Sequence, residues 1–195
     1  MNRYKLTIIL LAITASALVI SLLLVGSVSI PTTAVIDILS GKSSGNPAWD
    51  FIVTESRLPM IATAAFSGAA LAVCGLLLQT LFANPLASPS ILGISTGSSL
   101  GVAIVMLLLG GSTGALAGTS IGGYAATLAG ALVGALAVMA MLLAFSAIVR
   151  SATMLLIVGI LVSYLTSSAI SLLNFSASQE GVHSYVVWGL GTFSG

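Results

Sequence analysis

Residues Gly93, Ser95 and Gly97 carry the G-x-S-x-G spacing of a nucleophile elbow, in which a strained turn lifts a serine hydroxyl toward an acyl substrate. That chemistry needs a histidine base and an acid to orient it. The chain has one histidine, His183, and no acid between Arg57 and Glu180, so nothing in the neighbouring sequence supplies either partner. Serine hydrolysis is set aside. Gly41-Lys42-Ser43 resembles the end of a phosphate-binding loop, but that loop requires a glycine five residues before Gly41, where Ile36 stands. One cysteine, one histidine and four scattered acids make no ligand set for a resident metal. Neither a metal nor a cofactor is expected.

What remains is uncharged polar chemistry. Ser163, Tyr164, Thr166, Ser167, Ser168 and Ser171 crowd into nine residues of an apolar run, and Gln79, Asn84, Ser95, Thr96, Ser98 and Ser99 surround an interruption near residue 90. A single serine or threonine in a membrane helix commonly returns its hydroxyl to the preceding turn, a structural role. The cluster at 163–171 is denser than that role requires. A wall of hydroxyls without charge suits a route for a large polar passenger, whereas a proton relay needs ionisable groups.

The elements that would hold these residues are membrane spans. The chain is 58% hydrophobic and 5% charged with a mean hydropathy of +1.21, against about a quarter charged residues in soluble domains. Between Arg57 and Arg150 lie 92 consecutive residues without Lys, Arg, Asp, Glu or His. Water could not solvate a fold made of such a stretch, but spans of about 20 residues in hydrocarbon accommodate it. The net charge of +1 offers nucleic acid no basic surface. Arg3 and Lys5 precede an uncharged run from Leu6 to Ile30, which exceeds the core of a secretory signal and reads as an uncleaved first span.

Hydropathy marks five spans: Leu6 to Val28, Leu58 to Leu81, Ile91 to Leu109, Ile121 to Val149, and Ala152 to Asn174. The expected fold is therefore all-α, a polytopic membrane helix bundle of about five transmembrane helices forming one domain over residues 1–195. Asp37, Lys42, Asp50 and Glu55 fall in the first loop, where Thr32 to Leu39 predicts a short amphipathic helix and SGKSSGNP supplies turn chemistry. Counting Lys and Arg near the span ends gives three to two in favour of a cytoplasmic N-terminus. Asn84 and Pro85 stop the second span, Pro89 starts the third near its first turn, and Asn84 or Ser88 caps exposed amides, so the stretch is a structural elbow. Gly93, Gly97 and Gly101 recur every four residues, as do Gly110, Gly114, Gly118, Gly122, Ala126, Gly130 and Gly134 through the next connection and span and, in the second span, Ala64, Gly68 and Ala72. Faces of small residues let helix backbones approach closely in lipid.

The segments Arg57-Leu58-Pro59, Gly68-Ala69-Ala70-Leu71-Ala72, Gly75, Gln79, Asn84-Pro85-Leu86-Ala87-Ser88-Pro89, Leu92-Gly93 and Gly97 together resemble the FecCD-type permeases, the membrane subunits of ABC importers for iron-siderophore, haem and cobalamin. Trp188-Gly189-Leu190-Gly191-Thr192 resembles that family's outer-loop segment. The resemblance implies the N-terminal half of a permease of about ten helices in the bacterial cytoplasmic membrane, with the segment that contacts the ATPase in the missing half. The implied partners are cytoplasmic ATP-binding subunits, an extracytoplasmic substrate-binding protein, a second permease copy or paralogue, and membrane lipid. By the same comparison the fifth span lines the path, Arg150 and Ser151 lie near its cytoplasmic gate, and Arg57 receives acidic residues of the binding protein. A second arginine usual in the family after Leu-Pro is replaced by Met60. Two alternatives stand beside this reading: half of a secondary transporter, which predicts an ionisable residue inside a span, and a membrane assembly subunit that transports nothing.

Overall fold

The computed structural model describes residues 3–109, 121–149 and 151–191, and every regular element among them is helical. In order these are α1 (Arg3–Leu24), α2 (Thr32–Leu39), α3 (Pro47–Phe51), a first π-helical segment (Ile52–Arg57), α4 (Leu58–Leu81), α5 (Ile94–Ala103), a second π-helical segment (Ile104–Leu109), α6 (Ile121–Ile148), α7 (Ala152–Ser176) and α8 (Gln179–Leu190). The chain divides into two compact units at Ala70, inside α4.

Among the described residues four stretches are long and apolar enough to cross a membrane: Arg3–Leu24, Pro47–Leu81, Gly122–Ile148 and Ala152–Ser176. Where the third span is expected, helix runs from Ile94 to Leu109, the last described residue before 121. Its start shifts from Ile91 to Ile94 because Gly93 takes φ +82, a left-handed conformation that ends the preceding turn and opens α5. The second span, by contrast, lengthens. Helix runs unbroken from Pro47 to Leu81, 35 residues, about 50 Å at the α-helical rise against a hydrocarbon core of about 30 Å.

In the first unit the predicted short helix is present as α2. Pro31 precedes it with φ −58, and Ala34, Val35 and Ile38 turn inward to form a small core with Ile30 and Val53. The turn after α2 is tied by Asp50, whose carboxylate accepts from Ser43 Oγ at 2.7 Å and from Ser44 N at 3.0 Å. Asn46 Oδ1 then accepts from Ala48 N and caps α3, with Pro47 in the first turn. The residues that resembled a phosphate-binding loop thus form a turn closed on its own aspartate.

In the second unit α5 crosses α6 glycine on glycine. A Cβ built on Gly130 would lie 2.9 Å from Gly101 O, and one on Gly97 would lie 2.8 Å from Gly134 O. Two of the small-residue faces seen in the sequence therefore meet each other, backbone against backbone; Gly110, Gly114 and Gly118 lie outside the described residues. Ala87 and Leu92 of the elbow enter the core of this unit beside Val138 and Leu142 of α6 and Leu156 and Val162 of α7. The segment that resembled an outer loop is helical as far as Leu190. Ser178 Oγ caps α8 by accepting from Gly181 N at 3.2 Å, and Gly181 lies against Met106 O of the second π segment.

Candidate functional site

The hydroxyl cluster lies on α7, whose start is set by Ser151: its Oγ accepts from Met154 N at 3.4 Å. Arg150, the other expected gate residue, lies outside the described residues. One face of α7 is buried through Leu156, Gly159, Val162 and Thr166. Gly159 permits that burial, since a Cβ there would stand 2.8 Å from Leu92 Cα of the elbow.

This packing divides the six hydroxyl residues into two groups. Ser163 is half-buried, and its Oγ donates to Gly159 O at 2.9 Å and faces Gly93. Thr166 is 8% exposed, and its hydroxyl donates to Val162 O and Ser163 O. Both hydroxyls are spent on the helix backbone, and Ser163 also packs against the elbow. Tyr164, Ser167, Ser168 and Ser171 are exposed and follow the i, i+3, i+4, i+7 spacing of a single helix face. Within this ridge Ser168 Oγ returns to Tyr164 O at 2.9 Å and Ser171 Oγ to Ser167 O at 3.0 Å. Neither the Tyr164 nor the Ser167 hydroxyl has a partner among the described residues. At the edge of the same face Asn174 Oδ1 is buried without a hydrogen-bond partner among those residues. Beside the ridge runs a stripe of Leu161, Leu165 and Leu172, also exposed. The outward surface of α7 is thus partitioned lengthwise into a polar and an aliphatic strip.

The elbow holds this helix in place. After α4 ends at Leu81, Ala83 takes φ +46, Asn84 Oδ1 accepts from Leu86 N at 2.9 Å, and Ser88 Oγ accepts from Ile91 N at 3.3 Å. Pro85 and Pro89 each sit in a turn, and Pro89 begins a short turn segment ahead of the helix instead of α5 itself. Gly93 then seats against α7, and Gly97 against α6. Replacing Gly93 by alanine would place a methyl group 3.0 Å from Ser163 Oγ and 3.1 Å from Gly159 O at a φ that costs an L-residue about 1 kcal/mol or more. We expect Gly93→Ala to lower the unfolding midpoint in detergent, and Ser163→Ala to recover only the part due to the hydroxyl contact.

Arg57 belongs to the first unit and does not present an outer charge. It is 5% exposed, and its two terminal nitrogens donate to Leu23 O and Val28 O, the latter at 2.6 Å. The docking role implied by the resemblance requires an exposed guanidinium; here the group closes the carbonyl end of α1. Its partners are main-chain atoms, which leave no trace in side-chain patterning, so the sequence carried no signal for this contact. The second feature missed by sequence reasoning is the division of the hydroxyl cluster, although the buried positions 156, 159, 162 and 166 do follow helical spacing.

Residues 9–195 match the FecCD transport family. The chain belongs to that family. It is 34% identical over 174 residues to the molybdate import system permease protein MolB of Haemophilus influenzae, covering 87% of this chain and 49% of MolB. It is 30% identical over 150 residues to the vitamin B12 import system permease protein BtuC of Escherichia coli O139:H28, covering 77% of this chain and 43% of BtuC. A stretch of 92 residues is 39% identical to the ferric enterobactin transport system permease protein FepG of Escherichia coli K12, covering 47% of this chain and 27% of FepG. A solved structure described as an inward-facing conformation of a metal-chelate type ABC transporter superposes with a TM-score of 0.69 at 31% identity, over 97% of this chain and 53% of that one. The FecCD chain described here thus spans about half the length of the relatives it matches. Its helical architecture is that of a transporter permease.

Proposed function

We propose that this chain is the N-terminal part of the membrane permease of an ABC importer, with a multi-pass position in the bacterial cytoplasmic membrane and a cytoplasmic N-terminus. In this reading the ridge of Tyr164, Ser167, Ser168 and Ser171 lines the path. ATP-binding subunits on the cytoplasmic side drive alternate opening, a binding protein delivers the passenger outside, and a second permease copy or paralogue supplies the facing wall. The passenger is an iron-siderophore or a related metal chelate such as haem or cobalamin. Relatives named for molybdate, vitamin B12 and ferric enterobactin share a metal-containing polar solute, the property a charge-free hydroxyl wall accommodates. With Arg57 turned inward, contact with the binding protein rests on other charges of the first loop, of which Lys42 and Glu55 are exposed.

The observation that carries this reading is the exposed polar face of α7, on which the Tyr164 and Ser167 hydroxyls have no partner among the described residues. Tyr164 is 69% exposed and its hydroxyl has no partner among the described residues, and in hydrocarbon an unsatisfied hydroxyl costs several kcal/mol. A face of this kind is stable against water or a polar partner. Leu161, Leu165 and Leu172 alongside it have no such requirement. Single cysteines at Ser167 and Ser171, in a chain with Cys74 replaced, should react with a membrane-impermeant thiol reagent. Cysteines at Leu165 and Leu172 should not. Equal protection at all four positions would place the ridge in lipid and remove it from the path. Uptake supported by a proton or sodium gradient alone, without a co-expressed ATPase, would defeat the importer assignment and favour the secondary-transporter alternative.

A further inference from the structure

Among the described residues one buried side-chain oxygen has no hydrogen-bond partner, Oδ1 of Asn174 near the far end of α7. The amide nitrogen of that side chain makes no hydrogen bond among those residues either. Two N–H donors and a carbonyl oxygen thus stand unused in an apolar span. Position on the helix accounts for this. Asn174 lies eighteen residues, about five helical turns, beyond buried Leu156, on the line along which α7 meets its neighbours. It is also seven residues beyond Ser167 and three beyond Ser171, which sets it beside the polar ridge. The facing element follows from register. Gly93 lies against Ser163, and Gly181, just past the far end of α7, lies against Met106 O, so α5 and α7 leave the elbow in the same direction. Eleven residues on from Ser163 and from Gly93 stand Asn174 and Ile104, the latter the first residue of the second π-helical segment. The carboxamide is therefore level with a change from α- to π-helical winding, a feature frequent at functional sites.

We propose that Asn174 is a specificity-determining residue of the path, its carboxamide pairing with amide groups on the rim of the passenger. The inference rests on the reading of the ridge as a wall of that path. A buried carbonyl without a donor is a cost to the fold. No hydrogen bond among the described residues holds this side chain inward, so rotation about χ1 brings it onto the ridge without breaking one. With the free hydroxyls of Tyr164 and Ser167 it then marks out about 15 Å of helix, enough to meet several groups of one large solute. An amide is the partner that engages both the N–H and the C=O of Asn174 at once. A carboxylate accepts only, and it brings a charge for which α7 carries no counter-ion.

The test reads occupancy of the ridge as the rate at which Ser171→Cys, in the full chain with Cys74 replaced and held in nanodiscs, reacts with a membrane-impermeant thiol reagent. The probes are cyanocobalamin, whose corrin rim carries amides, and the same corrin with those amides hydrolysed to carboxylates. Cyanocobalamin should slow the labelling, and the hydrolysed corrin should need about tenfold more for the same protection. Asn174→Leu should raise the cyanocobalamin concentration for half-protection about tenfold, the scale of one or two hydrogen bonds. Asn174→Gln keeps the carboxamide and should recover part of that loss. The unfolding midpoint of Asn174→Leu should be unchanged or raised, since an unbonded polar group gives way to an apolar one of similar size. A lowered midpoint would assign the carboxamide to the fold and overturn the proposal. So would equal protection by the two corrins, protection unaltered in Asn174→Leu, or no protection by either corrin. A Ser171→Cys that fails to label at all is a separate result: it removes the ridge from the path, and this inference with it.

Discussion

Gly134→Ala is expected to separate α5 from α6 and to lower stability by about 3 kcal/mol or more, at the upper end of the overpacking range. The methyl group would meet Gly97 O and stand 3.0 Å from Gly101 N, both main-chain atoms of the facing helix. No side chain can swing aside, so the two backbones must move apart. In a membrane that movement forfeits the dispersion contacts that hold helices together, because burial from lipid supplies no hydrophobic drive. The measurement is the unfolding midpoint in mixed detergent micelles, with Gly75→Ala as the control. A Cβ at Gly75 meets nothing within 4 Å, and alanine is the better helix former by up to about 1 kcal/mol. The same substitution should therefore destabilise at one site and leave stability unchanged or raised at the other. Indistinguishable midpoints for the two variants would refute the glycine crossing.

Arg57→Met should cost about 3 kcal/mol by leaving Leu23 O and Val28 O without their donor, each orphaned carbonyl costing about 1–3 kcal/mol. Part of that loss is returned, since a buried guanidinium carries its own desolvation cost. Arg57→Lys keeps the charge near the carbonyl end of α1, where a cation is favoured. It loses the planar fork that reaches two acceptors at once, so partial recovery is expected. Gly26→Ala should act in the same direction as Arg57→Met, because its methyl would lie 2.7 Å from Arg57 Nη2 and displace the guanidinium. The readout is thiol labelling of Ser27→Cys in a chain with Cys74 replaced, which should accelerate in Arg57→Met and less in Arg57→Lys. Were Arg57 a docking charge instead, Arg57→Met would leave this labelling unchanged, and Arg57→Glu would alter only the salt dependence of binding-protein association.

These two sites differ in how much of them the sequence showed. The spacing of Gly97, Gly101, Gly130 and Gly134 marked faces suited to close approach, and α5 and α6 use those faces against each other. Gly68 shares the spacing and meets nothing within 4 Å. A four-residue repeat of small residues describes the surface of a helix, and the partner that comes to it is a property of the whole fold. Arg57 was legible as a residue at the head of the second span, but its acceptors lie 29 and 34 residues away on the main chain. Carbonyls are the same at every position, so composition could not point to them.

By itself the sequence determined the solvent. A stretch of 92 residues without a charge or a histidine has one physical home, and apolar runs of span length, the short amphipathic helix at Thr32–Leu39 and the break near Asn84 follow from local patterning and turn chemistry. It also carried the motifs that place the chain in its family. Tertiary structure decided which way things point. It set Gly93 against α7, turning Ser163 and Thr166 inward and leaving Tyr164, Ser167, Ser168 and Ser171 outward; it closed the exit of α1 with Arg57; and it left the Asn174 carbonyl without a partner among the described residues. The physical reason is that hydrophobicity sorts segments between lipid and water by composition alone, whereas packing depends on the facing atoms, and those are brought together only when the helices meet.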